Sequence, residues 1–167
     1  MLLRFHMPLL EGILAYRKGD GTTSISKLLS ALADAPQGTA ADLLKRAIPN
    51  IGADVVARAR KIAEKMDSAP PSRWGEYNWK LHEELYAPAN RPITLEFVRK
   101  IHDNLDRYVR IQLSLAEENR QRAHQEHIKL INLCEAADRA KALKLLSGHI
   151  NGVRDDLIDH LKRHPPE

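Results

Sequence analysis

Apolar residues recur at helical spacing through almost the whole chain, and no stretch of useful length alternates as a strand would. Residues 2–17 carry Leu2, Leu3, Phe5, Leu9, Leu10, Ile13 and Leu14, with Pro8 suited to a first helical turn. Lys18-Gly-Asp-Gly-Thr22 breaks that pattern. A second short helix is expected after Thr23 on Ser26, Leu28, Leu29, Leu32 and Ala33, ending before Pro36-Gln-Gly38. Thr39 reads as the N-cap of a third helix, TAADLLKRAI, with Asp42 at the third position in the manner of a capping box. Pro49-Asn-Ile-Gly52 ends it. The next helix, ADVVARARKIAEKM, should bury Val55, Val56, Ala59, Ile62 and Met66, and SAPPS forms a stiff connection after it.

Ser72 is the expected cap of the following helix, whose apolar side includes Trp79, Leu81 and Leu85 and which Pro88 and Pro92 should stop. From Thr94 onward Val98, Ile101, Leu105, Tyr108, Val109 and Gln112 trace a stripe at spacings of three and four. No proline or glycine interrupts residues 93–147, but one helix of that length is out of scale for a compact domain. A break is therefore expected in the polar stretch Glu117-Glu-Asn-Arg-Gln121. Beyond it His127, Leu130, Ile131 and Cys134 share a face, Asp138 reads as an N-cap, and a last helix runs to about Leu161. The expected fold class is all-α.

Composition narrows the role without naming it. A chain of 167 residues with 43% hydrophobic and 29% charged residues can bury a sizeable core and is too charged for a membrane protein. No apolar run approaches the roughly 20 residues of a bilayer span. The apolar N-terminus holds Arg4, His6 and Glu11 and lacks a small-residue cleavage site, so it does not read as a signal peptide, and a cytoplasmic location is expected. A single cysteine, Cys134, excludes an internal disulfide and a multi-cysteine zinc site, and its apolar face marks it as a core thiol. The net charge of +4 is spread along every segment with acids interleaved. The densest basic stretches, Arg58-Ala-Arg60-Lys61 and Arg139 to Lys144, read as solvated helix faces, so direct reading of DNA by these residues is not expected. Nothing resembles a nucleophile with its base or a phosphate-cradling glycine loop, and the pairs Glu83-Glu84 and Asp155-Asp156 face different ways as sequence neighbours.

The candidate chemistry lies in WGEYNWKLHEELYAPANRP. Asn78 and His82, four residues apart on a helix, present an amide oxygen and an imidazole on one face. His127 and His149 lie in later helical segments. Three imidazoles and one oxygen donor from three helices suit a divalent transition metal in an internal pocket. His124, three residues before His127, competes for that place, but the spacing to His149 and the apolar run that follows favour His127. His6, His102, His160 and His164 read as surface or capping residues. Asn78 is a neutral and therefore weaker ligand than a carboxylate, which leaves the site more positive and increases its demand for an anion.

From Ala47-Ile-Pro49 to about Leu161 the chain resembles the FadR-type C-terminal ligand-sensing domain, or FCD domain, of GntR-family bacterial transcription regulators. The matching landmarks are Asn78 four residues before His82, the turn Asn90-Arg-Pro92, His127 in the penultimate helix, the helix start Ala137-Asp138, and His149 in the last helix. The resemblance implies a bundle of six or seven antiparallel helices enclosing a metal held by Asn78, His82, His127 and His149. Zinc is the first choice, and nickel, manganese or iron would also be accepted. It further implies a small organic acid as effector, met by an arginine for which Arg4 and Arg46 are the candidates. Such domains form homodimers and control attached winged-helix DNA-binding domains. Residues 1–46 show neither the length nor the strand-rich wing of such a domain, so the expected division is an N-terminal helical segment, 1–46, and an FCD-like sensing domain, 47–167. The chain is then either a truncated or divergent regulator or a stand-alone sensor, with DNA reached only through a domain not evident in it. The expected function is effector sensing rather than catalysis. The alternatives are a metal-dependent, hydrolase-like enzyme on a helical scaffold, since a His-rich site with an open position can activate water, and a ligand-free helical interaction module.

Overall fold

A computed structural model describes the backbone of residues 39–115 and 117–163. Among these residues there are six α-helices and no strand, as the apolar periodicity requires: α1 Ala40–Ala47, α2 Ala53–Asp67, α3 Pro71–Tyr86, α4 Pro92–Leu115, α5 Glu117–Glu135 and α6 Arg139–Arg163. Short 3-10 turns, Ile48–Asn50 and Ala87–Ala89, follow α1 and α3. The helices expected over residues 2–17 and after Thr23 lie outside the described residues, as do Arg4, His6 and His164 and the side chains of Leu105, Tyr108, Val109, Gln112 and His160.

The helix ends follow local chemistry. Thr39 caps α1, its hydroxyl accepting the Asp42 N–H at 3.4 Å, while the Asp42 carboxylate takes the Arg46 Nε–H one turn along at 3.0 Å. Ser72 is not the cap of α3. Pro71 occupies the first helical position, where a missing N–H costs nothing and φ is already helical, so extended Pro70 takes the cap position and Ser72 falls inside the first turn. After Tyr86 the 3-10 turn leads to Asn90 in the left-handed region, φ 52°, and Pro92, expected only to stop α3, opens α4. The break expected within residues 117–121 is not there: those residues are helical in α5, which is described from Glu117, while α4 is described to Leu115 and residue 116 lies outside the described residues.

Helix α5 closes with a Schellman pattern in which the Asp138 N–H reaches the Leu133 carbonyl at 2.9 Å and the Ala137 N–H that of Cys134 at 3.0 Å. This puts Ala137 at φ 52°, where its Cβ is strained. Asp138 then caps α6, its carboxylate accepting the Lys141 N–H at 3.2 Å. Ala137→Gly should relieve the strain and raise unfolding free energy by about 0.5–1 kcal/mol, net of the greater freedom of glycine in the unfolded chain. Urea denaturation checks this, and an unchanged or lower midpoint would contradict it.

Helix α2 packs on α3 and α5, α3 on α4, and α5 on α6, while α1 lies against α3, α4 and α6. One apolar core joins them: Leu43 and Leu44 from α1, Ala63 and Met66 from α2, Leu81 and Leu85 from α3, Val98 and Ile101 from α4, Leu130 and Ile131 from α5, Leu146 from α6. The expected α2 stripe is buried, with Ile62 at its partly exposed edge. Among the described residues no helix is long and apolar enough to cross a membrane.

Candidate metal centre

Three helices deliver the site. On α3, Asn78, His82 and Tyr86 follow one another at intervals of four and are all buried, so a single face carries an amide, an imidazole and a phenol. His127 on α5 and His149 on α6 each lie eleven residues from Asp138, the turn between these two packed helices. Folding α6 back on α5 therefore brings both to one height, roughly 16 Å from the turn.

The ring centroids of His82 and His127 lie 5.1 Å apart, those of His127 and His149 4.8 Å, and those of His82 and His149 5.8 Å. One nitrogen from each of the three rings falls within 4.8 Å of the other two. Tetrahedral zinc at ~2.05 Å needs nitrogens ~3.3 Å apart, so the rings would close by about 1.5 Å at most, within the reach of side-chain rotation.

The hydrogen bonds around the rings sort their nitrogens. His149 Nδ1 meets the Glu126 carboxylate at 2.6 Å, and His82 Nδ1 meets the Tyr86 hydroxyl at 3.2 Å. Nε2 is thus the nitrogen each of these rings can turn to an ion, and for His149 the partner at Nδ1 is a carboxylate, the arrangement that fixes tautomer and ring orientation in metal-ligating histidines. The bond to His149 holds the Glu126 carboxyl below its ordinary range, so it is anionic at neutral pH. Burial pushes the Tyr86 phenol well above its ordinary value, which keeps it neutral.

His127 has no such partner. It is 1% exposed, and neither Nδ1 nor Nε2 is hydrogen-bonded. A buried imidazole with both nitrogens unsatisfied is costly, and a bound ion is one of the standard explanations for such a group. Burial, and secondarily the neighbouring His149 ring, pushes both His82 and His127 well below the ordinary histidine range. Their lone pairs are therefore available at neutral pH, and an ion need displace no proton from them. On donor chemistry the residues fit a divalent transition metal.

Asn78 stands beside this set, 8% exposed, with Oδ1 buried and unpartnered and Nδ2 3.1 Å from His102 Nε2. His102 was expected as a surface or capping residue. The structure instead sets it against Trp79, ring centroids 5.2 Å apart, because it lies one turn after buried Val98 on the side of α4 that faces α3. Sequence reasoning also missed Tyr86 and Glu126. The first carried a signal, the interval of four from His82; the second depends on α5 packing against α6 and carried none. His124 is not part of the cluster, its Nδ1 lying 3.6 Å from the Asp67 carboxylate of α2. Arg46 is exposed and paired with Asp42. Burial pushes the Cys134 thiol up to about 12, leaving it inert as a nucleophile.

No curated protein and no solved structure matches the chain. A family model for the FCD domain matches residues 40–152, a span that opens with α1 and contains Asn78, His82, His127 and His149. With more than half of its length in that match, the chain belongs to the FCD family, whose domain is the C-terminal ligand-sensing part of GntR/FadR-type regulators.

Proposed function

We propose that this chain is the effector-sensing part of a GntR/FadR-type transcription regulator that holds a divalent metal through His82, His127 and His149, with Asn78 as oxygen donor. The observation that carries this reading is His127, fully buried with two unsatisfied nitrogens between two other imidazoles. Four neutral donors leave the ion's charge uncompensated, which calls for an anion, and a small organic acid is the effector that fits. Zinc suits the nitrogen-rich set first, with nickel, manganese and iron also acceptable. An arginine would meet the far carboxylate. Arg46 could serve after leaving Asp42, and Arg4 is the other candidate.

In this reading α1, which straddles the 46/47 division expected from the sequence, belongs with the sensing unit, since Leu43 and Leu44 lie in its core. The sensor works in the cytoplasm as a two-fold dimer and alters DNA binding through a winged-helix domain, with little sequence-specific affinity of its own. The test is metal analysis of purified protein with mass spectrometry of extracted ligand, followed by a thermal-shift screen of mono-, di- and tricarboxylates with metal present. At least one acid should raise the melting temperature only when metal is present. Tight, sequence-selective DNA binding by this chain alone at physiological salt would overturn the reading.

A further inference from the structure

We propose that His102 is a positioning residue of the metal centre: by accepting the Asn78 Nδ2–H at its Nε2, it commits the amide oxygen rather than the amide nitrogen to the cluster. This rests on the metal reading of His82, His127 and His149.

An asparagine amide is nearly symmetric in shape, but only its oxygen can donate a lone pair to a cation. Nothing in the Asn78 backbone decides which end points inward. The decision falls to whatever meets the other end, and that is His102 Nε2 at 3.1 Å. To accept there, the ring must be neutral with its proton on Nδ1. The Asp103 carboxylate lies 3.8 Å from Nδ1, beyond hydrogen-bond length but on the side that a proton there would face. Contact with Trp79 keeps the ring from swinging away, and the Arg99 guanidinium also lies over that indole, 6.0 Å from its centroid. The consequence is visible at Asn78 Oδ1, which is buried without a hydrogen-bond partner, as a ligand atom awaiting a cation would be. In the reverse arrangement His102 would donate from Nε2 and the amide NH2 would face inward, which supplies no ligand.

The effect is that of an outer-shell group orienting an inner one, for which loss costs about 10–100-fold in metal affinity. The test uses Co2+ as probe, with affinity from chelator competition and coordination from the visible absorption bands. His102→Leu should lower affinity by about that factor and change the bands, and His102→Gln, whose carbonyl can accept the same N–H, should restore most of both. In an Asn78→Asp background either oxygen can ligate, so adding His102→Leu should cost much less, and the double-mutant cycle should show strong coupling. Equal losses in the two backgrounds, or no loss in His102→Leu, would overturn the proposal while leaving the metal site standing. Failure of the wild-type protein to bind Co2+ through the cluster would overturn both. Should His102→Leu not fold, nitrogen NMR of the metal-loaded wild type decides: an Nδ1-protonated His102 supports the proposal, and an Nε2-protonated ring refutes it.

Discussion

His127→Leu should make the metal-free protein more stable and at the same time unable to hold metal. The wild-type ring is 1% exposed among Trp74, His82 and His149, with no hydrogen bond at either nitrogen. Leaving a buried polar group such as this imidazole unsatisfied costs about 1–3 kcal/mol, and leucine of similar bulk removes it without opening a large cavity. With chelator present the urea midpoint should therefore rise by the equivalent of about 1–3 kcal/mol at unchanged slope. With metal at a thousandfold excess over its dissociation constant the wild type gains about 4 kcal/mol and the variant gains nothing. The order of stability thus reverses with the metal. His127→Ala would be a poorer probe, because its cavity destabilises under both conditions. A leucine variant that is less stable than wild type in chelator would show that the packing of the ring outweighs its unsatisfied nitrogens, and the cost assigned to them would be wrong. Stability given up at a single site in the metal-free state is what a binding site built into a core should show.

The triad was legible in the sequence because helical spacing turns residue numbers into faces. Asn78 and His82 had to share a side of α3, and the equal distances of His127 and His149 from Asp138 bring them level once that turn is recognised. The turn itself could be found, since Asp138 is a good cap, although its left-handed residue is Ala137 and not glycine. What surrounds the triad was less legible. Glu126 meets His149 only because α5 and α6 pack with one particular rotation about their axes, and no local pattern fixes that rotation. His102 was misplaced because the stripe traced along α4 ran through Val98, Ile101 and Leu105, which left a polar residue beside Ile101 looking solvated. Its partial burial is imposed by Trp79 from α3. The Ser72 error has the same character at shorter range, since a good capping residue lost to a proline one position earlier that fits the first helical turn better. The break expected in residues 117–121 rested on composition alone, with no glycine or proline to support it, and that stretch is helical in α5.

Acidification should destabilise the chelated protein well above the range in which carboxylates titrate. His82 and His127 have folded-state values well below the ordinary histidine value of 6.5, through burial first and the nearby His149 ring second. The unfolded chain therefore binds protons at these residues as the pH drops through about 6.5, while the folded chain refuses them. Their contribution to stability is complete above that pH and is lost progressively as the pH falls toward the folded values. Each such group imposes a slope of up to about 1.4 kcal/mol per pH unit, so the pair imposes up to about 2.7. Glu126, also lowered, acts in the same direction but in a separate window beginning near its ordinary value of 4.5. Saturating metal should defer the upper loss to lower pH, because an ion on the imidazole lone pairs competes with protons in the folded state alone. Urea midpoints from pH 8 to pH 5, with chelator and with metal, measure both effects. In chelator the His127→Leu variant should lose about half of the slope between pH 6.5 and 5, since one of the two refused protons is gone. A wild-type midpoint that stays flat across that interval would mean that the cluster accepts protons freely, and that His82 and His127 are not held neutral by their burial.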